Sequence, residues 1–154
     1  MNKLTLIIDT NIIFSALYKP NSKPGIIILL AIYDKIKLIA PISVRTELQD
    51  KLTKKLRFTH KEAENIISSL PIRWVEEEIY EDKIQEASKM LIDRSDAPLV
   101  ALHLMSGCPI VTGDKELLSL RDIEALSPAQ LIRMLIEGEV ITKEELEYIM
   151  SDIE

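Results

Sequence analysis

The stretch Leu4-Thr5-Leu6-Ile7-Ile8, followed at once by Asp9-Thr10-Asn11, decides the fold class of this 154-residue chain. A short apolar run rich in β-branched residues is typical of a buried strand. The polar triplet can cap the helical pattern of Ile12 to Tyr18, so the sequence predicts a strand, a polar turn and a helix. Polar residues directly after such a strand lie where open α/β sheets bind their ligands.

The same alternation of short apolar strands and amphipathic helices continues along the chain. Further strands are predicted at Lys37 to Ala40, Ile72 to Val75, Pro109 to Thr112 and near Ile123. Helices are predicted at Ile26 to Lys35, from an N-cap at Ser43 to about Leu56, at His60 to Leu70 after a Thr59/Glu62 capping box, at Tyr80 to Ile92, at Ser95 to Ser106, just after Gly113, and after the N-cap Ser127. With neither a hairpin signal nor a repeat period, this pattern predicts an α/β protein with a central parallel sheet covered on both faces.

Length and composition predict one globular domain, since the chain is 47% hydrophobic and 29% charged. We expect a core over about residues 1–136 and an acidic helical extension over about 137–154. The extension should begin at the N-cap Thr142 and carry four apolar side chains on one side. These are Leu146, Ile149, Met150 and Ile153. Packing on the chain's own domain and contact with a partner both stay open.

Membrane and secreted classes are not favoured by the sequence. The longest apolar stretch, Gly25 to Tyr33, is about half the length that a membrane-spanning helix needs. The single cysteine, Cys108, cannot form an intramolecular disulfide. We therefore expect a cytoplasmic protein with no membrane partner.

The charge balance argues against a general nucleic-acid-binding surface, because the net charge is −6 and the pI about 5.1. One dense basic cluster follows the predicted helix that carries Glu47. It consists of Lys51, Lys54, Lys55, Arg57 and Lys61, with Phe58 and His60 among them. Salt screens distant charges, so clustered lysines can hold phosphates even on an acidic protein. An RNA backbone path and a solvated helix face are both compatible with this cluster.

Acidic residues fall at the carboxyl edge of the predicted sheet. Asp9 follows the first strand, and Asp114 lies two residues beyond the strand that ends at Thr112. Helix geometry can bring Glu47 and Asp96 to the same crevice. Each acid alone could simply cap a helix. Two unit charges about 5 Å apart, however, repel by roughly 3 kcal/mol at an effective dielectric of 20, so a cluster of all four favours a bound cation.

The ligand chemistry of this cluster indicates which cation. All the candidate ligands are oxygens and there is no Cys–His spacing, which favours Mg²⁺ or Mn²⁺ over zinc. Such ions engage phosphate oxygens and activate water, so the chemistry they suit is phosphodiester hydrolysis.

Four ordered motifs in the chain resemble those of the PIN-domain family, which includes the VapC-like toxins of prokaryotic toxin–antitoxin systems. They are Ile7-Ile8-Asp9-Thr10-Asn11, Ser43-Val44-Arg45-Thr46-Glu47-Leu48, Asp93-Arg94-Ser95-Asp96-Ala97-Pro98-Leu99-Val100-Ala101-Leu102 and Val111-Thr112-Gly113-Asp114-Lys115-Glu116-Leu117-Leu118. Any one motif is weak, whereas all four in this order are fairly specific. The resemblance covers about Leu4 to Leu135 and implies a three-layer α/β/α sandwich around a parallel sheet.

The resemblance also implies an activity, namely Mg²⁺- or Mn²⁺-dependent cleavage of RNA, and a set of site residues. The catalytic and metal-binding acids would be Asp9, Glu47, Asp96 and Asp114. Asn11 or Thr112 would orient a carboxylate or a phosphate. Asp93 and Glu116 are second-line candidates that could lie close to the site, although surface charge is the favoured role for both. The implied partners are an RNA substrate, an antitoxin protein and, in a homodimer, a second copy of the chain.

Other function classes fit the same residues less well. A phosphatase with a nucleophilic aspartate after the first strand needs a second acid two residues on, where this chain has Asn11. A receiver-type phosphoacceptor needs an early acidic pair, which the sequence does not offer. His103 and Cys108 are best explained as core residues. A PIN-like module that binds RNA or a protein without cutting stays the alternative.

Overall fold

The sheet of the protein is parallel throughout. The computed structural model describes residues 3–151, and within them five strands pair in the order β3-β2-β1-β4-β5. They are β1 (Thr5–Ile8), β2 (Lys37–Pro41), β3 (Ile72–Val75), β4 (Ile110–Val111) and β5 (Ala125–Leu126). Ile7 of the central strand pairs with Ile39 on one side and Ile110 on the other. β1 is a continuous apolar run because both faces of the sheet are covered.

Helices cover both faces of this sheet. They are α1 (Thr10–Tyr18), α2 (Lys23–Ile32), α3 (Ile42–Lys54), α4 (His60–Ser68), α5 (Glu77–Tyr80), α6 (Ile84–Met90), α7 (Ala97–Ser106), α8 (Lys115–Ser119), α9 (Pro128–Glu137) and α10 (Lys143–Met150), with short 3-10 turns at Glu81–Lys83 and Arg94–Asp96. The chain moves from β1 to β2 to β3 in one direction and then crosses back to β4. Right-handed crossovers therefore place α1 to α4 on one face and α5 to α7 on the other. The predicted three-layer α/β/α sandwich is confirmed.

The reversal of strand order creates a crevice between β1 and β4. Connections leave these two neighbouring strands in opposite directions, which is where ligands bind in open α/β sheets. Asp9 directly follows β1, and Thr112 directly follows β4. The topology thus brings together two motifs that lie about a hundred residues apart in the sequence.

Local capping signals were sufficient to locate several helices. The Thr59/Glu62 capping box is present at α4, and Ser127 caps α9 together with Gln130. Thr142 caps α10, also through a capping box. These predictions are confirmed because each motif satisfies backbone N–H groups within one turn.

Other predicted boundaries are wrong for reasons that lie outside the local pattern. Ser43 is not an N-cap, since α3 begins at Ile42 directly after Pro41, whose extended backbone ends β2. The single helix predicted from Tyr80 to Ile92 is divided into α5, a 3-10 turn and α6. The chain bends at Tyr80, where φ is −120°, and the tyrosine ring is buried there. Helix α7 likewise begins at Ala97, after a 3-10 turn, rather than at Ser95.

The C-terminal helix α10 packs on the chain's own domain. It contacts α2, buries Ile149 and sets the Tyr148 ring edge-on to Tyr33 at 6.5 Å between centroids. Met150, which the sequence places on the same side as Ile149, is exposed at the end of the helix. Ile153 lies outside the described residues.

None of the helices within residues 3–151 combines the length and the apolar character that crossing a membrane requires.

Candidate active site

Buried polar residues are concentrated at one place in the sheet. Among residues 3–151, the polar side chains that are buried belong to Asp9, Thr10 and Thr112. All three lie at the carboxyl ends of β1 and β4. Burying polar groups costs free energy unless they find partners, so this concentration marks the crevice as the candidate site.

Asp9 is held by the neighbouring strand rather than by the helix it precedes. Although it occupies the N-cap position of α1, its carboxylate makes no capping bond within the described chain. Its Oδ2 instead accepts a 2.7 Å hydrogen bond from Thr112 Oγ1. Burial raises the pKa of Asp9, which the Thr112 bond opposes and the nearby charge of Asp114 reinforces. The simple capping explanation therefore does not account for Asp9.

Asp114 combines a capping role with a place beside the other acids. Its Oδ1 accepts from the amides of Glu116, at 2.8 Å, and Leu117, at 3.3 Å, at the start of α8. The Asp114 amide in turn donates to Thr112 Oγ1 at 3.0 Å. One threonine hydroxyl thus connects the Asp9 carboxylate to the backbone that carries Asp114.

Among the four acids, Asp96 has the most strongly raised pKa. Its Oδ2 is buried and has no hydrogen-bond partner among residues 3–151. Burial raises its pKa to about 7, and the charges of neighbouring acids add to that shift. These neighbours are Asp9, Asp114, Asp93 and Glu47. The dependence of the Asp96 pKa on their charges places the other three predicted acids, Asp9, Glu47 and Asp114, within electrostatic reach of Asp96.

Glu47 and Asn11 lie at the outer side of the site. The Glu47 side chain is about half exposed and its Oε1 lies 3.9 Å from Lys51 Nζ, one turn along α3. The exposed Asn11 turns its side-chain oxygen to the same lysine. Of the two predicted orienting residues, Thr112 contacts a predicted acid, whereas the hydrogen bond of Asn11 is to Lys51.

The acids do not form a closed ligand shell. Within the part of the chain that the structure describes, no group of three or more His, Cys, Asp or Glu side chains is close enough together to hold a metal ion. The chemistry of the donor set nevertheless fits a hard cation. It offers only oxygen donors from the predicted residues, and the buried Asp96 Oδ2 is without a partner among residues 3–151. These side chains would have to approach one another further to complete such a shell.

The two further candidates have structural roles beyond surface charge. Glu116 accepts hydrogen bonds from the amides of Ile92, at 2.7 Å, and Asp93, at 3.1 Å, and so fixes the segment that leads to Asp96. Asp93 accepts from both the amide and the hydroxyl of Ser95, which lowers the pKa of its carboxyl. Both residues support the position of Asp96.

Two residues at the site were not singled out by the sequence interpretation. Thr10 has a buried Oγ1 with no partner among the described residues, directly beside Asp9 in the chain. Lys51, assigned only to the basic cluster, contacts Asn11 and lowers the pKa of Asp9 through its charge. Its spacing of four residues from Glu47 was the available signal, since that spacing puts both on one helix face. His103, by contrast, is partly buried, and its ring nitrogens find partners in the Cys108 carbonyl and the Glu124 amide.

Comparison with known proteins agrees with this architecture. Residues 7–128 match the family described as PIN domain. An uncharacterized protein of Methanocaldococcus jannaschii is 32% identical over 121 residues, which cover 78% of this chain and 77% of the relative. A chain in the crystal structure of VapBC2 from Rickettsia felis, bound to a DNA fragment from their promoter, superposes with a TM-score of 0.59. That match covers 80% of this chain and 98% of the other, and at 18% identity it concerns the fold. Because the family match spans residues 7–128, well over half of the sequence, the chain belongs to the PIN domain family.

Proposed function

We propose that this protein is an endoribonuclease that uses Mg²⁺ or Mn²⁺ to hydrolyse RNA phosphodiester bonds. The proposal assigns metal binding and catalysis to Asp9, Glu47, Asp96 and Asp114. Membership of the PIN domain family supports it, as does the placement of oxygen donors at the switch point of the sheet.

The observation that carries the proposal is the state of Asp96. A buried carboxylate oxygen without a hydrogen-bond partner among residues 3–151 is costly, and neighbouring negative charges increase that cost. A divalent cation beside Asp96 would remove both penalties at once. A site organised only for folding would be expected to place a lysine, arginine or amide there instead.

Each residue of the site then has a definable task. Thr112 orients the Asp9 carboxylate and, by donating to it, favours its charged form. Asp114 is fixed by the start of α8, and its capping bonds engage only Oδ1. Glu47 is the most exposed of the set. When bound, the metal would lower the pKa of a water molecule and stabilise charge on the phosphate oxygens.

We further propose a toxin role with a protein partner. The structural neighbour from Rickettsia felis is a VapBC2 complex, which suggests that this chain is neutralised by an antitoxin. A homodimer and action on RNA in the cytoplasm belong to the same proposal. Co-expression with the product of a small neighbouring gene tests it: growth arrest by this chain alone, relieved by the second protein, is expected. Growth unaffected by expression of an active nuclease would leave a housekeeping RNA-processing role.

A non-catalytic PIN module that binds RNA or protein is the second candidate. The observation in its favour is that no three candidate ligands within residues 3–151 already form a metal-sized cluster. Binding without cleavage in the presence of either metal would establish this alternative.

The deciding experiment is incubation of a mixed RNA pool with Mg²⁺, Mn²⁺ or EDTA, followed by mapping of the new ends. Cleavage by the unaltered protein with metal, none with EDTA and none by Asp96→Asn are expected. Asp122→Asn, a change at an exposed aspartate, is the matched control and should cut normally. Mn²⁺ should also raise the melting temperature of the unaltered protein more than that of Asp96→Asn. Metal-independent cleavage, or full activity of Asp96→Asn, would contradict the proposal.

A further inference from the structure

A row of basic and aromatic side chains leads away from the acids along the seam between α1 and α3. The two helices pack side by side. Asn11, Phe14 and Tyr18 share one face of α1, since they are three and seven residues apart, and Lys51 and Lys55 are one turn apart on α3. We call these five residues the α1–α3 ridge.

Contacts between the two helices pair these side chains in order. Lys51 donates to the Asn11 side-chain oxygen next to the acids, and Lys55 Nζ lies 5.8 Å from the centre of the Phe14 ring. Phe14 then stacks on Tyr18, with ring centres 6.4 Å apart and planes 5° from parallel. From the acids outward, the ridge therefore presents Lys51, then Lys55, and then the stacked rings of Phe14 and Tyr18.

The charges of the ridge suit a polyanion. Lys51 has an amide oxygen and a 3.9 Å contact with Glu47 as its partners, so it is not committed to a tight ion pair. Lys55 is exposed and faces an aromatic ring. On a chain of net charge −6, two such lysines beside an acidic crevice form a local region that attracts phosphate. Their backbone positions are about 6 Å apart along the helix axis, so both lysines lie on the same side of α3.

The end of the ridge suits an unpaired base. The Tyr18 side chain is 70% exposed, which is unusual for a large aromatic residue, and its ring is held in orientation by Phe14. A pre-oriented exposed ring beside a basic track is the arrangement that binds single-stranded nucleic acid by stacking. A paired base cannot offer its face to such a ring.

We propose that the α1–α3 ridge is the path by which a single-stranded RNA reaches the acids, with phosphates on Lys51 and Lys55 and a base stacked on Tyr18. This inference rests on the proposed nuclease function and specifies how its substrate is positioned. Of the basic cluster noted in the sequence, Lys51 and Lys55 belong to the ridge. The other three residues, Lys54, Arg57 and Lys61, do not.

The test measures binding rather than cleavage. All variants carry Asp96→Asn, and a labelled single-stranded RNA of about eight nucleotides is titrated in Mg²⁺ between about 50 and 200 mM salt. Each of Lys51→Gln and Lys55→Gln should reduce the slope of log affinity against log salt by about 0.7, the value for one phosphate contact on a single strand. Lys89→Gln, a change at an exposed lysine on α6, should leave the slope unchanged.

Substitutions of Tyr18 test the stacking part of the proposal independently of the lysines. Tyr18→Ala should weaken binding of the single strand by about tenfold while leaving affinity for a duplex of the same sequence unchanged. Tyr18→Phe keeps the ring and should restore binding. Ridge variants that behave like Lys89→Gln would overturn the inference, as would Tyr18→Ala changing the oligomeric state but not the RNA affinity, because that face would then be a protein interface.

The two proposals can fail separately. If the unaltered protein cuts RNA but the ridge variants bind normally, the nuclease stands and the path is wrong. If no cleavage occurs with either metal but the salt slopes fall as expected, the path stands and the nuclease is wrong. Melting temperatures of the variants show that each remains folded.

Discussion

The hydroxyl of Thr112 donates to Oδ2 of Asp9 at 2.7 Å, joining the carboxyl ends of β4 and β1. Both residues are buried, and the same hydroxyl accepts the amide of Asp114 at 3.0 Å. A single side chain thus fixes the orientation of one acid and the backbone of another.

Replacing Thr112 with valine should damage both stability and cleavage. Valine matches the shape of threonine, but it leaves the buried Asp9 carboxylate without its donor and the Asp114 amide without its acceptor. We expect the free energy of unfolding to fall by about 1 to 3 kcal/mol. Urea denaturation and RNA cleavage should be compared with Thr112→Ser, which keeps the hydroxyl and should retain most of both. A valine variant as stable and active as the unaltered protein would contradict this role.

The raised pKa of Asp96 should make the metal-free protein less stable at neutral than at acidic pH, as far as this residue contributes. In the unfolded chain Asp96 titrates near 3.8, whereas in the folded protein its pKa is about 7. Between these values the folded state binds more protons, so the free energy of unfolding falls as the pH rises from about 4 to about 7.

The variant Asp96→Asn removes this titration and isolates its effect. In EDTA at pH 8 it should be more stable than the unaltered protein by about 1 to 2 kcal/mol, a figure reduced from the full shift because the side chain is only half-buried. At pH 4 the difference should vanish. Urea denaturation at both pH values, with Asp122→Asn as the control, measures it. A stability difference that does not depend on pH would mean that Asp96 acts through packing instead.

Asp114 allows its capping role to be separated from its charge. Asparagine at this position would keep a side-chain oxygen for the Glu116 and Leu117 amides, so Asp114→Asn should stay within about 0.5 kcal/mol of the unaltered protein. Asp114→Ala loses the cap and should cost about 1 kcal/mol. Both should lose cleavage if the charge holds the metal. Normal cleavage by Asp114→Asn would reduce Asp114 to a helix cap.

The C-terminal helix α10 should contribute to folding as well as to any interface. Ile149 is buried against the domain, so Ile149→Ala should lower the free energy of unfolding by about 2 kcal/mol or more. Met150→Ala, on the same helix but exposed, should change it by less than about 0.5 kcal/mol. Equal effects of the two substitutions, measured by thermal or urea unfolding, would show that α10 does not pack as described.

Features with a local cause were predictable from the sequence. The strand Ile72–Val75 and the capping box of Thr59 have the predicted bounds and contacts, because each depends on residues within one turn or one strand. The bend at Tyr80 was not predictable, since it accompanies burial of a ring against distant parts of the chain. Helical periodicity continues through such a bend without any sign of it.

For the site residues, too, the sequence could predict what has a local cause but not what depends on distant contacts. The sequence could place Asp9 and Asp114 at one edge of the sheet, but it could not tell a cap from a site residue. That distinction depends on where the carboxylate points, which only the folded structure shows. Asp114 caps α8, whereas Asp9 turns to Thr112. The role of Glu116 was missed for the same reason, since its amide partners lie 23 and 24 residues away.

The bond between Asp9 and Thr112 also has a consequence for biosynthesis, because its partners are 103 residues apart. β4 can dock beside β1 only after the ribosome has made both strands, and Asp9 and Asp114 stay apart on the nascent chain until then. In the nuclease proposed above, no cutting centre can therefore exist on a nascent chain that stops short of β4.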